Sequence, residues 1–97
     1  MKKLSPEALL VLVSLADGAK HGYAIQRDIE GISGRHLGPG SLYGAIARLE
    51  SARYIEPVGE QGSRRPYRLS AAGMKTLSTE LMTLSRVTAA GKRRLAT

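Results

Sequence analysis

Apolar residues recur along this chain with two periods, and the switches between them mark out the elements. From Ser5 to about Ala16 the chain reads as a helix that is greasy on nearly every side, because Ala8, Leu9, Leu10, Val11, Leu12 and Val13 are consecutive. From His21 to Ile32 the period is helical and one-sided: Ile25, Ile29 and Ile32 stand at i, i+4, i+7 on a buried face, with Gln26, Arg27, Asp28 and Glu30 outward. A third helix over about 39–52 buries Leu42, Ala45, Ile46 and Leu49 in the same way. Tyr54–Glu60 and Pro66–Ser70 are short runs with β-branched and aromatic residues around the turn-rich Gln61-Gly62-Ser63, the pattern of a hairpin, and Pro57 places its strand at an edge. From Ser70 to about Ala90 the helical period returns, with Met74, Leu77, Leu81 and Leu84 alternating steps of three and four.

The punctuation between these runs agrees with them. Ser5-Pro6-Glu7 caps and starts the first helix, and Asp17-Gly18 ends it. Gly22 permits close packing at the start of the second, and Ser33-Gly34 closes it a few residues before Pro39-Gly40 opens the third. Two helices joined by a short glycine-containing turn form a helix-turn-helix. The expected fold is therefore mainly α with a small β-hairpin: a winged helix-turn-helix over 1–70, then a long C-terminal dimerisation helix and basic tail over 71–97.

The third helix has the most informative outer face. Gly40, Gly44, Ala47, Arg48 and Ser51 lie opposite its buried stripe, with Ser41 and Tyr43 on the flanks, so this arc is small-sided and free of acids. Small side chains would let the helix axis approach base edges in a major groove while Ser, Tyr and Arg supply hydrogen bonds. Taken alone, the same stretch also suits an ordinary surface helix. The charge distribution favours the first reading. The net charge of +7 comes entirely from the C-terminal third, since residues 1–63 balance seven basic against seven acidic side chains. Beyond them Arg64, Arg65, Arg68, Lys75, Arg86, Lys92, Arg93 and Arg94 face only Glu80. Such a surface attracts polyanions, nucleic acid first and anionic membrane second. Arg64, Arg65 and Arg68 sit near the hairpin tip, where a wing reaches phosphate or minor groove.

Composition narrows the remaining classes. A chain of 97 residues has room for one small core, and without cysteine it has no disulfide or thiolate zinc site. The first apolar run is too short to span a bilayer and lacks a cleavage signal, so a soluble, cytoplasmic chain is expected, with no membrane partner. His21 and His36 stand in no spacing with carboxylates that would bind a metal or form a triad, and no phosphate-cradling glycine loop is present; no enzyme activity and no cofactor are expected. The over-apolar first helix and the final helix's seam point to a second copy of the chain, with Leu9, Leu10, Val13, Met74, Leu77, Leu81 and Leu84 at a homodimer interface.

His21-Gly22-Tyr23-Ala24-Ile25, Pro39-Gly40-Ser41-Leu42-Tyr43, Arg48-Leu49-Glu50, Ile55-Glu56 and Tyr67-Arg68-Leu69-Ser70-Ala71-Ala72-Gly73 together resemble the PadR family of bacterial transcriptional regulators, in the family's order and spacing from about Ser5 to Gly73. The resemblance implies a winged-helix repressor that binds palindromic operator DNA as a dimer and is often released by a small aromatic or drug-like inducer. Carried over by position, it gives Ser41 and Tyr43 as recognition-helix contacts, Arg64 and Arg65 as the basic wing, and Tyr23 as a structural or phosphate-contacting residue. The expected DNA-binding set is Tyr23, Gly40, Ser41, Tyr43, Gly44, Ala47, Arg48, Arg64, Arg65 and Arg68. Two departures matter. Arg53 stands where the family usually has glycine after the recognition helix, which costs a Cβ penalty if that residue is left-handed. The chain also has no Trp or Phe for an aromatic stacking pocket. The competing classes are a winged-helix module docking protein or RNA and a ligand-sensing dimer without DNA contact; a docking face would show large apolar anchors where this helix shows Gly, Ala, Ser and Arg.

Overall fold

In the computed structural model four helices and one hairpin follow in the order α1 (Pro6–Leu15), α2 (Gly22–Ser33), α3 (Pro39–Ser51), β1 (Ile55–Pro57), β2 (Tyr67–Leu69) and α4 (Ala71–Leu95). The structure describes residues 4–59 and 65–97. The local signals act as their chemistry dictates. Ser5 Oγ accepts from the Ala8 amide at 3.1 Å, with Pro6 at the first helical position. Gly34 closes α2 at φ 71°, its amide bonded to the Glu30 carbonyl at 2.8 Å.

The core is where α1, α2 and α3 meet. Val11, Leu12, Ile25, Ile29, Leu42 and Ala45 are fully buried there, and Leu15, Ile46, Leu49 and Ile55 nearly so. Each large aliphatic side chain so buried contributes roughly 1.5–3 kcal/mol. The helical stripe expected of α3 is the one observed. In α2 the stripe stops short: Ile32 is half exposed, because it lies in the last turn, past the residues of α2 that the core covers. Leu9, Leu10 and Val13 remain partly buried against the cluster. Ser14 is buried as well, and its hydroxyl finds no hydrogen-bond partner among the described residues.

The hairpin is antiparallel, with Ile55, Glu56 and Pro57 opposite Leu69, Arg68 and Tyr67. Its other side is occupied. Lys20, in the loop between α1 and α2, bridges Tyr67 through two backbone bonds, Lys20 N–H to Tyr67 O at 3.0 Å and Tyr67 N–H to Lys20 O at 2.9 Å. That leaves β1 at the free edge, where the missing N–H of Pro57 costs no ladder bond. Lys20 also ties its own loop: Nζ donates to the Ser14 carbonyl and to Asp17 Oδ1, and this hydrogen bond and charge hold the Asp17 carboxyl below the usual carboxylate range.

The last helix differs from expectation in extent and in what it covers. It runs to Leu95, five residues beyond the expected end, and over 25 residues it measures about 37 Å. Its first turns pack against the preceding elements. Ser70 Oγ caps it by accepting from the Gly73 amide at 3.0 Å and donates to the Arg53 carbonyl at 2.7 Å. Gly73 and Leu77 are buried, and Leu77 joins the core cluster. Leu77 is therefore not free for a second copy: α4 packs on α1 and β2 through its first turns, so the core runs across the expected boundary at residue 70. From Ser78 onward α4 is largely exposed. Leu81, Met82 and Val87 are uncovered, as is Met74 before them, and Leu84 is half-buried.

Between α3 and β1 the chain turns through Arg53 at φ 65°, the one left-handed residue other than glycine among those described. The bonds are those of a Schellman closure: Tyr54 N–H to Leu49 O and Arg53 N–H to Glu50 O, both 3.0 Å. A Cβ in this region costs about 1 kcal/mol or more, while glycine gives back part of that through the entropy of the unfolded chain. Arg53→Gly is thus expected to raise stability by about 0.5 kcal/mol and the melting temperature by about 2–4 °C. A lower melting temperature would mean that the exposed Arg53 side chain makes a stabilising contact.

Candidate nucleic-acid interface

With Leu42, Ala45, Ile46 and Leu49 turned into the core, geometry alone fixes what α3 offers outward. Gly40, Ser41, Tyr43, Ala47 and Arg48 are exposed and Gly44 is half-buried. Among the described residues, a Cβ at Gly40 would meet nothing within 4 Å, and one at Gly44 would meet only Arg48 Nη1 at 3.4 Å. The Arg48 guanidinium therefore lies back along the helix over Gly44. It also sits in the last turn of α3, where a cation complements the helix dipole.

Beside this arc a cleft of about 630 Å³ opens between α2, α3 and the hairpin, lined by His21, Gly22, Tyr23, Ala24, Tyr43, Arg65 and Tyr67. Three of the chain's four tyrosines meet here, and no carboxylate lines the cleft among the described residues. Tyr23 is strongly exposed, with the Arg27 guanidinium 5.9 Å from its ring centre. The first amides of α2 carry no side-chain cap, since His21 occupies the capping position without making that bond. Cationic Arg65, tyrosine hydroxyls and uncapped amides can all donate, so this surface donates hydrogen bonds to a ligand's oxygens and attracts its negative charge.

The structure thus brings together Tyr23, Tyr43 and Arg65 in the cleft and Gly40, Ser41, Gly44, Ala47 and Arg48 on the adjoining arc. Arg64 lies outside the described residues. Arg68 is set apart from the others. Strand alternation sends it to the face opposite Tyr67, where it meets its register partner Glu56, with Nε and Nη2 both 2.9 Å from Glu56 Oε2. There it lines a different concavity, of about 340 Å³, with Leu15, Val58, Leu69 and Met74. Its charge is met by its own chain, as expected from neither the basic count nor the proximity in sequence to Arg65. Sequence reasoning missed Tyr67 and His21 as part of the surface. The period-two alternation in Tyr67-Arg68-Leu69 was the available signal, but only the bridge to Lys20 tells which face turns toward α2.

Among the described residues no helix is long and apolar enough to cross a membrane. A 37.1 kDa protein of unassigned role in transposon Tn4556 of Streptomyces fradiae is 51% identical to this chain over 79 residues, which is 81% of this chain and 23% of that protein. The chain thus spans about a quarter of the length of this relative. Among solved structures, a PadR family transcription regulator of Clostridium difficile superposes with a TM-score of 0.81 at 24% identity, over 94% of this chain and 99% of the other. RosR of H. salinarum superposes at 0.77 with 26% identity, over 88% and 78% of the two chains. The model of the PadR-like transcriptional regulators matches residues 11–79, and with this match and the winged-helix architecture above, the chain belongs to that family.

Proposed function

We propose that this chain acts as a homodimeric repressor that inserts α3 into the major groove of a palindromic operator and rests its hairpin and the start of α2 on the flanking backbone. The observation that carries the reading is the division of α3: four apolar residues buried in the core, and an outer arc of Gly40, Ser41, Gly44, Ala47 and Arg48 with no large apolar anchor. A protein-docking face would present such anchors. The donor-rich cleft continues the arc and suits phosphates, which position a protein on the duplex without reading sequence. Dimerisation is supported by the uncovered part of α4, where Met74 and Leu81 stand exposed a heptad apart beside half-buried Leu84, and by Leu9, Leu10 and Val13 of α1. Two copies joined through their last helices would match the two-fold symmetry of a palindrome. A small-molecule inducer remains part of this reading as the family resemblance gives it.

The test is the salt dependence of binding. Arg65→Ala is expected to weaken binding to operator and random duplex by similar factors. It should also make the slope of log affinity against log salt shallower by roughly 0.9 for each phosphate that is no longer neutralised, counted once per protomer. An unchanged slope would remove the wing from the interface. Sedimentation of the unaltered chain at micromolar concentration tests the assembly, and a monomer there would end the dimer part of the reading.

A further inference from the structure

We propose that Gly22 is a positioning residue for Tyr43: by having no side chain, it holds the tyrosine against the start of α2, so that its hydroxyl meets the duplex backbone and not a base edge. This rests on the DNA-binding reading above. A methyl group at Gly22 would stand 2.5 Å from Tyr43 Oη and 2.9 Å from Cε1 and Cζ. Among the described glycines only Gly22 and Gly73 would meet an atom closer than 3 Å, and at Gly73 that atom is backbone. At Gly22 it is the far end of a side chain from the helix with the candidate reading face. Gly22 is itself buried, and what covers it includes that ring, whereas Tyr43 keeps half its surface open to the cleft shared with Tyr23 and Arg65.

The consequence concerns what Tyr43 reads. Base contacts then come from the arc of Gly40, Ser41, Gly44, Ala47 and Arg48, which enters the groove first. Tyr43 lies on the flank and leans toward α2, where its hydroxyl can donate to a phosphate oxygen. Such a bond positions the protein without discriminating sequence. Gly22→Ala replaces the first residue of α2 by a better helix former, so the fold is retained and the ring, being the movable partner, is displaced.

The experiment is a double-mutant cycle on the full chain, read by fluorescence anisotropy against a duplex selected from a random pool and against random duplex. Gly22→Ala and Tyr43→Phe are each expected to weaken both duplexes about tenfold, the scale of one charge-assisted hydrogen bond. Gly22→Ala added to Tyr43→Ala is expected to change nothing further. In the free protein, NMR should show a nuclear Overhauser contact between the Gly22 α-protons and the Tyr43 ε-protons, with the melting temperature of Gly22→Ala no lower than that of the unaltered chain. If the unaltered chain binds no duplex, the DNA-binding reading fails and this proposal with it. If it binds, but Gly22→Ala is silent, or acts equally without Tyr43, or alters preference at one base pair only, this proposal alone is overturned.

Discussion

Gly73→Ala is expected to lower stability by about 3 kcal/mol or more and the melting temperature by about 12–24 °C, although alanine is the better helix former by about 1 kcal/mol. The added methyl would stand 2.0 Å from the Tyr54 carbonyl oxygen and 2.9 Å from its carbon, and neither can swing aside as a side chain would. Tyr54 is fixed from both directions: its amide closes the turn after α3 on Leu49, and its carbonyl accepts from the Ser70 amide at 3.0 Å. To admit the methyl, α4 must back away. It then loses the Ser70 amide bond to Tyr54, strains the Ser70 hydroxyl bond to Arg53 and draws Leu77 out of the core. The tertiary cost exceeds the propensity gain, and that fixes the sign. Circular dichroism melting measures it directly; a melting point within a few degrees of the unaltered chain would mean that α4 is not seated against Tyr54 in solution.

Gly44→Leu is expected to do the reverse, keeping the fold and removing the function. Among the described residues the only atom within 4 Å of where a Cβ would stand is the mobile end of Arg48, and leucine favours a helix by several tenths of a kcal/mol over glycine. Stability should therefore hold or rise. On the DNA-binding reading, however, the new side chain lifts α3 off the base edges at the centre of the arc and pushes Arg48 from its resting place. Affinity for a selected operator should then fall to the level of random duplex, about a thousandfold or more. Anisotropy titrations on both duplexes, beside a melting curve, separate this from misfolding. A folded Gly44→Leu chain that binds operator as tightly as the unaltered one would end the assignment of α3 as the reading helix.

The two glycines show how differently the chain's information is stored. Helix starts, the stops of α1 and α2, the buried stripe of α3 and the edge position of β1 were legible, because each follows from contacts a few residues apart: a cap reaching three residues on, a 3.6-residue period, a proline without a donor. The composition of the α3 arc was legible for the same reason, since four inward residues leave only the others to face out. The family resemblance marked Arg53 as a residue that would carry a Cβ penalty if its position were left-handed, and its φ is 65°.

What needed the tertiary structure are pairings between distant residues. Lys20 with Tyr67 orients the hairpin, and so decides that Tyr67 faces the cleft while Arg68 turns to Glu56. Gly73 against Tyr54 brings α4 down onto α1, which takes Leu77 into the core although its spacing with Met74 and Leu81 reads as one seam. Gly22 beneath Tyr43 decides where the tyrosine rests. A period along a helix says which residues share a face, but not how far a neighbouring element covers that face. Coverage depends on where other segments of the chain end, which no local pattern encodes.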